Sequence, residues 1–225
     1  MKNMKRILLT MVAAMLLVVM SVAGTLAYLV STSQQVTNTF TIGKVTIALD
    51  EAKTDEYGDE IAGAERVIAN EYKLIPGREY AKDPTVHVVK GSEPSYIYVK
   101  ITNEMKDYLV ANCIEDQLKD NGWEPLTGYT GIYYYVDEDS EAADKSIVDA
   151  RDAQVDLIVF ETITLLDSLT DTEIAKAASK KIVIQAYALQ ADGFDSPAEA
   201  YAEAECTWPT NAPTATPEVT PDAGE

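Results

Sequence analysis

The sequence predicts a mainly β fold: an antiparallel sandwich with one or two short helices, an N-terminal signal helix and a disordered C-terminal tail. Short segments alternate apolar and polar residues with the period of two that is typical of half-buried strands. Clusters of Gly, Pro, Asn and Asp separate these segments, and few stretches have a helical period. A chain of this kind folds as an antiparallel sandwich rather than as a βαβ array.

The first strands lie on either side of a glycine. Apolar residues have even numbers before Gly43 and odd numbers after it, so we expect two strands with a bulge or corner between them. The members are Val36, Phe40 and Ile42 before the glycine, and Val45, Ile47 and Leu49 after it. The acidic segment 50–64 that follows is interpreted as a solvated loop, with a calcium loop as the alternative, although it lacks the ligand spacing of an EF-hand.

The rest of the chain continues the alternation of strands and turns. Segment 85–89 places Val86 and Val88 on one face and His87 on the other, and segment 181–190 has apolar residues on both faces, which indicates a strand covered on both sides. The other predicted elements are turns at 74–77 and 91–94, strands at 96–102, 132–136 and 157–165, a polar insert at 137–156, and helical segments at 105–119, 170–179 and 198–205.

The ends of the chain differ from its middle. Residues 1–27 begin with basic residues, continue as an uncharged apolar run and end with small residues at the −3 and −1 positions of a signal peptidase site, which predicts cleavage between Ala27 and Tyr28. The alternative is an uncleaved anchor, since residues 7–30 are long enough to span a bilayer. Residues 206–225 carry Pro at every fourth position and are expected to form a disordered spacer after a domain at 28–205.

Composition and charge exclude several function classes. The 225 residues carry 18 Lys and Arg against 37 Asp and Glu, a formal net charge of −19. Nucleic acid is therefore not an expected partner, and membrane contact is expected only through the signal segment, because both surfaces attract basic side chains. One His and two Cys are too few for a zinc-finger spacing or for most His/Cys metal sites. We expect no catalytic residues, no metal and no cofactor.

Three residue groups carry alternative interpretations. His87 is interpreted as a surface or hydrogen-bonded strand residue, because no nucleophile or metal motif accompanies it. Cys113 and Cys206 can pair after export, or Cys113 can remain a buried thiol. The Tyr residues of strands 96–102 and 132–136 are expected to pack within the fold, with a binding face for glycan or protein as the alternative.

Three stretches of the chain resemble a known family. They are residues 24–29 (GTLAYL) followed by 36–43 (VTNTFTIG), residues 74–77 (LIPG), and residues 184–192 (IQAYALQAD). They are similar to the TasA/camelysin family of Gram-positive bacteria, over most of residues 1–205. The first stretch is the most specific, because it couples the signal peptide to the first strand.

The resemblance implies a fold, a location and a mode of assembly. It implies a jelly-roll sandwich, a signal peptide removed by a SipW-type signal peptidase at Ala27–Tyr28, and secretion to the extracellular matrix or cell surface. Family members form biofilm-matrix fibres in which the first strand of one subunit completes the sheet of the next. Carried onto this chain, the donor strand would lie within residues 28–42, with Val36, Phe40 and Ile42 filling the neighbour's groove.

The sequence therefore supports three hypotheses. The first is a secreted structural protein, a subunit or accessory of matrix fibres that self-associates or binds related matrix proteins. The second is a monomeric cell-surface binding module. The third, an extracellular metalloprotease of the camelysin type, is disfavoured because the chain supplies no zinc-binding constellation beyond one His and scattered carboxylates.

Overall fold

The computed structural model describes residues 44–141, 143–204 and 208. The chain divides into two compact units between Ile42 and Gly43, and the described residues belong to the second. The strands are β1 (Ile47–Asp50), β2 (Glu79–Ala81), β3 (Thr85–Val88), β4 (Ser95–Asn103), β5 (Trp123–Pro125), β6 (Ile132–Tyr135), β7 (Val155–Ile158), β8 (Thr162–Thr164) and β9 (Ile182–Gln190). The helices are a 3₁₀ turn (Lys106–Tyr108), α1 (Glu115–Asp120), α2 (Asp171–Ala177) and α3 (Pro197–Glu203).

The strands form three antiparallel sheets. One sheet has the order β1-β3-β7, the second has the order β5-β6-β4-β9, and β2 pairs with β8. Every pairing between the described strands is antiparallel, which confirms the mainly β, antiparallel class that the sequence predicts. Within the part of the chain that the structure describes, every helix is too short or too polar to cross a bilayer.

The three-stranded and four-stranded sheets share one hydrophobic core. Val86 and Val88 of β3 are fully buried in it, as the alternation predicts, and Ile97 and Val99 reach it from β4. Trp123 of β5 joins the two sheets directly, because its Nε1–H donates to the carbonyl of Ile158 in β7 at 2.8 Å. Burial of these side chains supplies most of the free energy that holds the two sheets together.

A second core covers the other face of the four-stranded sheet. Helix α3 packs there with Ala200 and Tyr201 against Tyr96 and Tyr98 of β4, which are 1% and 0% exposed. Strand β9 contributes side chains to both cores, which confirms the prediction that it is covered on both sides. The burial of these two tyrosines confirms their packing role.

One predicted helix is wrong in its extent. The spacing of Met105 and Leu109 predicts a helix over 105–119, but the structure has a 3₁₀ turn, an extended Leu109 and then the short helix α1. Both side chains are buried as predicted, yet the Leu109 backbone forms a bridge with Leu165 instead of a helical turn. The described residues contain three α-helices, which overlap the three helical segments predicted from the sequence, although the predicted fold class had only one or two.

The polar insert 137–156 is tied to β4 more closely than its composition indicates. Val148 and Ser95 exchange two backbone hydrogen bonds, of 2.9 and 3.0 Å. The Tyr96 hydroxyl donates to Asp144 at 3.0 Å, and burial together with this carboxylate raises the pKa of Tyr96 to about 12. The described part of the insert therefore adds backbone pairing to the sheet, beyond a purely solvated loop.

Helix α2 begins with a capping box at Thr170. Thr170 Oγ1 accepts from the Glu173 N–H at 3.4 Å, and the Glu173 carboxylate accepts from the Thr170 N–H at 2.9 Å. We expect Thr170→Ala to lower the free energy of unfolding by about 1 kcal/mol, because the Glu173 N–H in the first turn loses its acceptor. Urea unfolding followed by circular dichroism measures this loss, and Thr170→Ser is the control that keeps the cap.

Candidate assembly surface

The predicted cleavage site and donor strand lie outside the described residues. Ala27 and Tyr28, and the apolar residues Val36, Phe40 and Ile42, all precede residue 44, so their roles stay predictions. What the structure provides is the body of the domain that such a donor strand would join.

The first described residues are held against the turn between β3 and β4. The Glu93 N–H donates to the Lys44 carbonyl at 3.1 Å, and the Thr46 N–H donates to Ser92 Oγ at 3.1 Å. Ser95, just after this turn, pairs with Gln190 at the end of β9. The described part of the chain therefore begins near the C-terminal end of β9.

Strand β9 is the last strand of the four-stranded sheet among the described residues, and its core-facing side chains are less covered than those of β4. Ile97 and Val99 of β4 are fully buried, whereas Ile184, Ala186 and Ala188 of β9 are half-buried. These three side chains all contact the main core. The core is therefore incompletely covered along β9.

Strand β1 has the same character at the edge of the other sheet. Ile47 and Leu49 contact the main core and are half-buried. Cα atoms of β1 and β9 approach within 8 Å, so the two strands lie side by side across the sandwich. We call the apolar surface formed by Ile47, Leu49, Ile184, Ala186 and Ala188 the β1–β9 flank.

His87 lies on the opposite, outer face of β3, between two carboxylates. Its Nδ1 is 2.7 Å from Asp156 of β7, and its Nε2 is 2.9 Å from Asp50 of β1. Burial lowers the pKa of His87, but hydrogen bonds to both carboxylates outweigh it and raise the pKa above 6.5. The hydrogen bond from His87 in turn lowers the pKa of Asp156. This confirms the interpretation of His87 as a hydrogen-bonded strand residue.

An arginine that the sequence analysis did not single out completes this network. Arg66 forms ion pairs with Asp50 and with Asp83, the latter at 2.8 Å. Its Nη2 also donates to Thr85 Oγ1 at 2.9 Å, and Thr85 is almost fully buried. Arg66 comes just after the acidic segment 50–64, which already contains Lys53, so its position in the sequence gave no clear signal.

The acidic segment 50–64 is organised by basic and amide side chains. Glu51 is only 4% exposed, and its carboxylate accepts from Lys82 Nζ at 2.6 Å and from Asn70 Nδ2 at 3.1 Å. Asp59 pairs with Arg78 at 2.8 Å. Within residues 44–141, 143–204 and 208, no group of three or more His, Cys, Asp or Glu side chains is arranged to hold a metal ion. Because Glu51 is buried and paired with Lys82, the interpretation of segment 50–64 as a solvated loop does not hold at Glu51.

The start of the C-terminal segment lies against the second core. Trp208 is half-buried, and its Nε1–H donates to the Tyr201 hydroxyl at 2.8 Å. Its ring centroid is 5.7 Å from that of Tyr187 of β9. Trp208 therefore anchors the chain just before its Pro-rich stretch.

Cys113 is half-buried and has no disulfide partner among the described residues, and burial is the chief cause that raises the pKa of its thiol. Cys206 lies outside the described residues, so pairing of the two cysteines stays a prediction.

Comparisons with known proteins supply no relative. No protein-family model matches the chain, and neither the curated proteins nor the solved structures include a significant match.

Proposed function

We propose that the protein is a secreted structural protein, a subunit or accessory of extracellular matrix fibres, assembled by β-strand donation. The observation that carries the proposal is the β1–β9 flank, where aliphatic side chains of both sheets are only half covered. A strand that carries apolar residues on one face can complete a core at such a place.

The segment just before the described domain has the required pattern. Val36, Phe40 and Ile42 share one face of a strand, whereas Thr37, Thr39 and Thr41 share the other. Residue 44, the first described residue after this segment, lies near the end of β9. We propose that residues 28–42 pair with the flank of a neighbouring subunit rather than with the flank of their own. Donation from each subunit to the next does not form a closed ring, and it therefore generates a filament.

The fold and the charge fit this role. Completion of the core by a neighbour's strand would give the sandwich a jelly-roll arrangement of the family type. The chain has a formal net charge of −19 before removal of the basic signal segment, and this negative charge keeps free subunits apart and makes their association sensitive to salt. A SipW-type signal peptidase would expose Tyr28 as the new N-terminus of the donor segment.

Substitution of the donor face tests the proposal. We expect Phe40→Glu in the chain 28–225 to abolish filaments, because a carboxylate buried in the flank of a neighbour has no counter-charge there. Thr39→Glu adds the same charge to the opposite face and should leave filaments intact. Sedimentation and negative-stain microscopy give the measurement. Equal filament yields from the two variants would contradict the proposal.

A further inference from the structure

His87 is the only histidine of the chain, and it lies at the centre of the β1-β3-β7 sheet. Asp156 is directly opposite it on β7, and Asp50 is diagonal to it on β1. The imidazole side chain is 16% exposed. One side chain therefore links all three strands of the sheet on its outer face.

The geometry around the ring favours the doubly protonated form of His87. Each ring nitrogen lies within 2.9 Å of a carboxylate oxygen, and an ionised carboxylate can only accept hydrogen bonds. Both nitrogens must therefore donate, which requires the doubly protonated imidazolium. A neutral imidazole has one N–H and would leave either Asp50 or Asp156 facing a lone pair.

The neighbouring charges do not replace this proton. Arg66 contacts Asp50, Asp83 and Thr85, and it stays charged at every relevant pH. Gln154 donates to Asp156 at 2.7 Å and carries no charge. Among the described side chains that contact this histidine's two carboxylates, His87 is the one whose charge changes near neutral pH.

We propose that protonated His87 is a pH-sensitive latch that ties the edge strand β1 to β7 across β3, and that β1 opens more readily once this proton is lost. The raised pKa of His87 sets the sign. The stabilisation is fully present below about 6.5, the pKa in the unfolded chain, and it is lost as the pH rises through the higher folded value. This inference does not rest on the proposed assembly, although β1 also contributes Ile47 and Leu49 to the β1–β9 flank.

Two mass-spectrometric measurements test the latch, and both use the Phe40→Glu variant of the chain 28–225 beside the unsubstituted chain, so that protection of β1 by a neighbouring subunit is recognised. Exchange of the histidine C2 hydrogen against pH reports one pKa, because the chain has one His. Amide exchange, corrected for intrinsic rates, reports the opening of β1. Between the His87 pKa of the open state, about 6.5, and its higher pKa in the folded state, the protection factors of the β1 amides should fall by up to about tenfold per pH unit. The reason is that His87 loses one proton when β1 opens.

Variants separate the latch from general pH effects. His87→Gln should remove the pH dependence of β1 protection, and amides of β4 should show no such dependence in either chain. Asp156→Asn keeps the fold of the sheet and should lower the pKa of His87, which provides a second test if His87→Gln folds poorly. A His87 pKa at or below 6.5, or a β1 pH dependence that survives in His87→Gln, would overturn the proposal.

Discussion

A chain that cannot donate its strand and a chain that cannot accept one should each remain monomeric, and their mixture should form a discrete heterodimer. Phe40→Glu blocks the donor face, and Ala186→Glu places a carboxylate on the β1–β9 flank. In the mixture, the intact donor segment of the Ala186 variant meets the intact flank of the Phe40 variant. One productive contact is possible, so growth ends at two subunits.

Size-exclusion chromatography with light scattering measures this result. Val183→Glu is the matched control for the acceptor, because Val183 of β9 is 44% exposed and lies outside the flank. Circular dichroism establishes whether each variant is folded. If Ala186→Glu does not fold, Ala188→Glu replaces it as the variant with a blocked acceptor. A mixture that stays monomeric, with both parents folded, would contradict strand donation to this flank.

Replacing Trp123 by Ala should cause the largest loss of stability of any single side chain discussed for the core. Trp123 is 1% exposed, donates to the Ile158 carbonyl at 2.8 Å, and packs edge-on against Tyr135 with ring centroids 5.4 Å apart. We expect a cost of about 3–5 kcal/mol in the free energy of unfolding, because a cavity opens between the two sheets.

Trp123→Phe separates the hydrogen bond from the packing. It keeps an aromatic ring but removes the donor to the Ile158 carbonyl, at a cost of about 0.5–1.5 kcal/mol. Urea unfolding of both variants gives the comparison. Ile68→Ala is the surface control, since Ile68 is 55% exposed and its loss should change stability by less than about 0.5 kcal/mol. A cost for Trp123→Ala no larger than that of Ile68→Ala would contradict the two-sheet core.

Local sequence patterns predicted the strands best where both flanking turns were clear. The inward Val86 and Val88 and the two-sided β9 follow from alternation alone, because a strand's faces are set by parity. The prediction of a helix over 105–119 failed because Met105 and Leu109 have helical spacing, while the Leu109 backbone pairs with the distant Leu165, just after β8. Tertiary pairing decided that segment.

The polar network could not be predicted from the sequence. Asp50, His87 and Asp156 meet only because the register of three strands brings them together, and Asp156 is 69 residues from His87. The burial of Glu51 depends in the same way on Lys82, which is 31 residues away. Charge patterning gave the acidic character of the segment but not the partners that fold it back onto the sheet.

The most direct test of strand donation compares the chain 28–225 with a chain that starts at Thr41. Both are incubated at neutral and mildly acidic pH, with and without calcium, and examined by negative-stain microscopy. Strand donation predicts filaments from the longer chain and folded monomers from the shorter one. Filaments from both chains would remove residues 28–40 from the mechanism, and folded monomers from both would contradict self-assembly and favour a monomeric surface-binding module.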